Sequence, residues 1–202
     1  MGEKIMTISQ DQIREAIEKA DINLSPNMQK KTEEAIGKIL GGNIPPKEAL
    51  GFDENAMNQI YRHGFNEFQA GRYDEALKIF TFLRQIDVGN FDYSFAIAAC
   101  HQFKQEYSEA AANYIICTYI DRLNPVPHFH LYDCFVKLNF PMSALKAIKE
   151  TIALAELNPR DSELKERALL EYKSFKKDLK KYLKENFDKE NLDKDFVDIE
   201  GD

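Results

Sequence analysis

The sequence predicts an all-α protein: three tandem helix pairs stacked into a curved solenoid, with two N-terminal helices ahead of them and a C-terminal capping helix behind. The first observation behind this is a fixed spacing. Tyr73, Ala76, Phe80 and Ile86 return 34 residues later as Tyr107, Ala110, Tyr114 and Ile120, and the same step leads on to Pro141, Ala144, Ile148 and Leu154. The second is the form of the repeated unit. From Gly64 to Ala76 it reads as helix, tight turn at Gly71, and a second helix with a small residue where two helices would touch. Pro125 and Pro159, which open repeats, keep the same interval.

A period of about 34 residues with these features is the signature of tetratricopeptide repeats (TPR). Three follow, at 57–90, 91–124 and 125–158. Each pair has an apolar face that it cannot bury alone, so pairs stack. Small residues at Gly64 and Ala98, and at Ala76, Ala110 and Ala144, allow the close approach.

The flanking elements follow in order. After a frayed start over residues 1–8, Ser9 and Gln12 have the form of a capping box, and Ile13, Ala16, Ile17 and Ala20 make one face of a short helix. A second helix is expected from Pro26 to Leu40, stopped by Gly41-Gly42. Asn43 to Asp53, with Pro45-Pro46, reads as a linker. Beyond the repeats, Leu164, Ala168, Tyr172, Phe175, Leu179, Leu183 and Phe187 line one side of a capping helix over 160–187. Its other side carries Lys173, Lys176, Lys177, Lys180, Lys181 and Lys184, either a solvated face or a site for an acidic partner. Residues 188–202 are acidic and poor in large apolar side chains, which predicts disorder. The division is therefore 1–52 for the N-terminal helices and linker, 53–187 for the repeats with their cap, and 188–202 for the tail.

Composition narrows the function. The net charge of −7 argues against nucleic acid as the main partner, because phosphate binding needs a positive surface. Mean hydropathy of −0.49, with no spanning-length apolar run and no signal-peptide pattern, predicts a cytoplasmic protein that does not insert into membranes. Cys100, Cys117 and Cys134 sit at packing positions of the repeats and are expected as buried thiols. None of the phosphate-cradling, zinc-protease or nucleophile-elbow motifs occurs, so neither catalysis nor a cofactor is expected. His130 and Cys134, four apart, and the adjoining pair Cys100 and His101 fall short of a compact four-ligand set, so no metal site is expected either.

The informative surface is the concave face, lined by positions 2, 5, 9, 12 and 13 of each first helix. These are Asn58, Tyr61, Phe65, Phe68 and Gln69, then Asp92, Phe95, Ala99, Gln102 and Phe103, then Val126, Phe129, Asp133, Val136 and Lys137. Tyr61, Phe65, Phe68, Phe95, Phe103 and Phe129 are aromatic, more than a wall facing water should carry. The alternative is that some of these rings pack between repeats. An aromatic groove suits an extended apolar peptide. A clamp for a terminal carboxylate would instead need Lys and Asn where Tyr61 and Phe65 stand.

The run from Ile60 to Ala76, together with Ile39-Leu40-Gly41-Gly42 and Ala98-Ala99-Cys100-His101-Gln102, closely resembles the class II chaperones of bacterial type III secretion, the SycD/LcrH-like group. The similarity spans about residues 28–175, and the N-terminal helices resemble those of chlamydial members in length and sequence. The chain differs in a longer N-terminal segment and in Pro45-Pro46. The resemblance implies a bacterial cytoplasmic chaperone whose concave groove holds an extended segment of a secreted client, either a hydrophobic translocator or a gatekeeper. It places Tyr61, Phe65, Phe68 and Tyr73 in that groove, with Tyr73, just past the turn, alternatively the ordinary repeat aromatic, and the positions above add Phe95, Phe103 and Phe129. It further implies a homodimer in the client-free state through the helices before residue 42, with Ile13, Ile17, Ile36, Ile39 and Leu40 as the dimer face. Residue chemistry alone also allows a TPR scaffold or regulatory adaptor that binds a folded partner through its outer face.

Overall fold

The computed structural model describes residue 15, residues 26–40 and residues 45–186. Among these residues the regular elements are all helical: α1 (Pro26–Leu40), α2 (Pro46–Ala49), α3 (Glu54–Gln69), α4 (Tyr73–Ile86), α5 (Phe91–Phe103), α6 (Tyr107–Ile120), α7 (Val126–Lys137), α8 (Pro141–Glu156) and α9 (Ser162–Asn186). A 3-10 turn over Pro159–Asp161 precedes α9. The helix expected around Ile13 and Ile17, and the acidic tail, lie outside the described residues. The chain forms two compact units, residues 1–93 and 94–202, and the division falls inside α5.

In the first unit, α3 and α4 are the helix pair of the first repeat. Asp53 caps α3, its carboxylate accepting the Ala56 N–H at 2.7 Å, so the helix begins three residues before the repeat boundary read from the spacing. Gly71, at φ +77°, makes the turn, a backbone conformation that costs glycine nothing. Ala76, Phe80, Leu83 and Ile86 of α4 and Met57 of α3 are buried. At about 1.5–3 kcal/mol for each large side chain, Met57, Phe80 and Leu83 give this pair much of its stability.

The expected linker contains a turn of helix, α2. Proline is tolerated there because the first helical residues need no intrahelical N–H partner, and Pro46 holds that place. Lys47 then reaches Glu54 at 2.9 Å and Asp87 at 3.1 Å, tying α2 to the start of α3 and the end of α4. Those two carboxylates hold the ammonium above its ordinary range.

The second unit contains the rest of α5 and α6 to α9. Ala98, Ala110, Tyr114, Leu131, Cys134, Ala144, Ile148 and Ala168 form one core, with Leu164, Tyr172 and Phe175 of α9 packed on it. The repeat extends to the backbone of the turns. Gln105 (φ 63°) and Asn139 (φ 58°) adopt the left-handed conformation at the positions equivalent to Gly71, although only asparagine is a habitual substitute for glycine there. All three cysteines are buried and free. Burial pushes the Cys100 and Cys134 thiols up to about 12, which keeps them protonated and unreactive.

Candidate functional site

The first unit presents its aromatic residues along α3, at successive turns. Tyr61 is half-buried, its ring 5.4 Å from Phe80 and 5.8 Å from Tyr93, and burial raises its phenol above the ordinary range. Phe65, 44% exposed, stands out toward solvent. It lines a shallow cavity of about 490 Å³ with Gln59, Arg62, His63 and Asn66. Phe68 is half-buried and meets the ring of Tyr73 edge-on at 5.5 Å. Glu67 and Arg72 form an ion pair across the turn, which holds the Glu67 carboxyl below the usual range. That pair and the Phe68–Tyr73 contact fix the end of α3 against the start of α4.

The second unit has a larger cavity, about 660 Å³, with Phe103, Tyr107 and Val136 as its apolar wall and Gln102, His130 and Asp133 as its polar one. Phe103 is 60% exposed at its rim. Behind the polar wall lies a small network. Gln102 Oε1 accepts the Tyr114 hydroxyl at 2.7 Å and lies 3.1 Å from Nδ1 of His130, whose ring stacks on Tyr114 with centroids 4.9 Å apart. A neutral imidazole protonated at Nδ1 satisfies both contacts. Burial, aided by the Arg167 charge, pushes His130 down to about 4. Burial also raises the Asp133 carboxyl. The cavity therefore offers apolar surface with hydrogen-bonding groups at one side.

Phe95 and Phe129 take other places. Phe95 is half-buried against Tyr114 (5.3 Å) and His130 (5.4 Å), supporting the network from behind. Phe129 is only 5% exposed, with the Arg167 guanidinium 4.8 Å over its ring. It is a core residue of this unit, because position 5 of the last repeat meets the capping helix. His130 and Tyr107, which line the cavity, are not among the expected concave positions. A histidine one residue past position 5 gives no periodic signal of its own. On α1, Ile36 and Ile39 are half-buried and Leu40 is the last helical residue; Ile13 and Ile17 lie outside the described residues.

The state of His130 predicts a pH dependence. Its folded pKa lies below the unfolded value of about 6.5, so the unfolded chain binds more protons between about pH 4 and 6.5. The stabilisation is complete above about pH 6.5 and is lost as the pH falls toward 4. The expected loss from this group is about 2–3 kcal/mol. Urea unfolding at several pH values should show it, and His130→Gln should flatten the profile across that window. An identical profile for the variant would remove His130 as its cause.

Comparison with known proteins gives this geometry its context. No family model matches the chain. SicA, a chaperone protein of Salmonella typhimurium, is 25% identical over 148 residues, 73% of this chain and 87% of its own length. SycD of Yersinia enterocolitica, a type III secretion chaperone solved with a peptide of the translocator YopD, is 26% identical and covers 64% of this chain and 97% of that one, with a TM-score of 0.59. PcrH of Pseudomonas aeruginosa, solved with the chaperone-binding region of PopD, is 30% identical and covers 62% of this chain and 94% of that one, with a TM-score of 0.60. The likeness runs over nearly the whole length of PcrH at 30% identity, and the chain belongs with it to the class II chaperones of type III secretion.

Proposed function

We propose that this chaperone acts in the bacterial cytoplasm, without catalysis, by holding an extended apolar segment of a secreted translocator until export. A gatekeeper is the alternative client. The observation that carries the proposal is Phe65, an aromatic ring held toward solvent on a helix whose other aromatics, Tyr61 and Phe68, are anchored against Phe80 and Tyr73. Relatives solved with client segments from PopD and YopD support the client class. In the second unit, Phe103 and the adjoining cavity offer a further apolar pocket. Phe129, being buried, is not part of the proposed surface. Ile36, Ile39 and Leu40 remain in the proposed homodimer face of the N-terminal segment, with Ile13 and Ile17.

Each aromatic anchor removed from such a site should weaken binding by about tenfold to a hundredfold. The test is co-expression with the secreted proteins encoded beside this chain, followed by affinity pull-down and titration of the recovered client. Phe65→Ala with Phe68→Ala should lose the client while helical content stays the same, and Phe103→Ala should weaken it by about tenfold. A client retained equally by the wild type and the double variant would move the site off α3.

A further inference from the structure

Beside Phe65, α3 carries an exposed strip of hydrogen-bond donors. Residues three and four apart on a helix are neighbours, so Gln59, Arg62, His63 and Asn66 adjoin one another, and Arg62 lies one turn before Phe65. These four residues and Phe65 line the shallow cavity of α3. Among the described residues no carboxylate lines it. Lys47, Arg72 and Lys78 of the same unit each meet an acid: Glu54 and Asp87, Glu67, and Glu75. The guanidinium of Arg62 has no ion pair or hydrogen bond among the described residues. Glu67, the carboxylate nearest to it in sequence, has both oxygens on Arg72, with His63 Nδ1 at 4.0 Å. An arginine without an acid therefore stands next to the exposed aromatic ring, in a chain whose net charge is −7.

We infer that Arg62 and its neighbours select, within the client segment, a carboxylate side chain close to the apolar residue that covers Phe65; the inference rests on the client reading of α3. Charge and spacing argue for that occupant. A cation that is not already neutralised favours an acidic guest and disfavours a basic one. Side chains three apart on a helix have Cβ atoms about 5–6 Å apart. An extended segment shows alternate residues on one face, about 7 Å apart. An Asp or Glu two residues from the apolar anchor thus comes within reach of the guanidinium, whose planar fork takes a carboxylate through two parallel hydrogen bonds. A carboxylate at the end of a chain has the same chemistry. The place of Arg62 decides for an internal side chain, because a segment that touches Tyr61, Phe65 and Phe68 in turn passes Arg62 rather than ending there.

The probe is a library of short random peptides, each fused to its carrier protein so that no C-terminus is free, selected on the full chain. The wild type should enrich peptides with Asp or Glu at that spacing from a large apolar residue. Arg62→Glu should enrich Lys or Arg there instead, and should bind a peptide selected by the wild type about tenfold or more weakly. Arg62→Gln should weaken the same peptide about twofold to fivefold, the range of an exposed ion pair, and remove most of its salt dependence. Lys78→Glu, on an exposed site of α4, changes the net charge as much as Arg62→Glu and should leave preference and affinity unchanged. Arg62 is exposed, and Arg, Gln and Glu are all good helix formers, so its variants should fold like the wild type. Peptides that are lost with Phe65→Ala but carry no acidic preference, or that Arg62→Glu holds as tightly as the wild type, would overturn this inference and leave the client reading in place. Acidic peptides that bind only when released with a free C-terminus would assign the strip to a chain end and overturn it too. Peptides bound equally after Phe65→Ala, or no enrichment at all, would remove both readings.

Discussion

Tyr114→Ala should be among the most destabilising single substitutions in the second unit, by about 3–5 kcal/mol, the range for removing a large aromatic from a tight core. Tyr114 has no exposed surface and is among the largest fully buried side chains. It meets Phe95 at 5.3 Å, stacks on His130 at 4.9 Å and donates its hydroxyl to Gln102 at 2.7 Å. Truncation therefore opens a cavity and leaves His130 without the ring that orients it. In a chain of this length, such a loss lowers Tm by about 10 °C. Tyr114→Phe separates the two contributions. It keeps the packing and removes one hydrogen bond, and Gln102 retains His130 as a partner, so about 1 kcal/mol is expected. Thermal unfolding of the two variants decides the matter. Similar losses would mean that the hydroxyl, not the ring, carries the contribution. The same experiment bears on function, because Gln102 and His130 line the cavity that Tyr114 supports.

The recurrence of Tyr73, Tyr107 and Pro141 is enough to place six helices, because the spacing records which residues must meet when pairs stack. Position within a repeat tells less about exposure. Phe65 and Phe129 occupy neighbouring concave positions by number, yet one is 44% exposed and the other 5%. The difference lies in α9: its Arg167 covers Phe129, and nothing in the 34-residue period states which residues a capping helix will cover. His130 shows the same limit. Four residues from Cys134 it looks like half of a metal pair, but its partners are Tyr114 and Gln102, brought to it from α6 and α5 by tertiary packing. The helical turn at Pro46–Ala49 is hidden for a different reason. A proline pair is read as a break, and the stabilising contacts of that turn are the long-range ion pairs of Lys47 with Glu54 and Asp87.

Gly64→Leu should cost the first unit about 3 kcal/mol or more. A Cβ added at Gly64 would stand 2.8 Å from Phe80 Cε1 and 3.0 Å from both Ile79 Cγ2 and Phe80 Cζ. Phe80 cannot give way easily, being 1% exposed and packed against the ring of Tyr61 at 5.4 Å. Glycine in mid-helix is itself unfavourable by about 1 kcal/mol, so Gly64→Ala sets a gain in helix propensity against this overlap. The net loss should be small, about 1 kcal/mol. Leucine gains the same propensity and adds a branched side chain where a single carbon is already too close. The cause can be tested by pairing. Phe80→Leu shortens the opposing side chain, so the loss in Gly64→Ala with Phe80→Leu should be smaller than the sum of the single losses. Strict additivity, or a Gly64→Leu variant that melts like the wild type, would show that α3 and α4 do not depend on this close approach. The consequence reaches the proposed client surface, because α3 carries Tyr61, Phe65 and Phe68 on the same three turns. A leucine that lifts α3 from α4 should weaken the client even though residue 64 is buried beneath the surface that binds it.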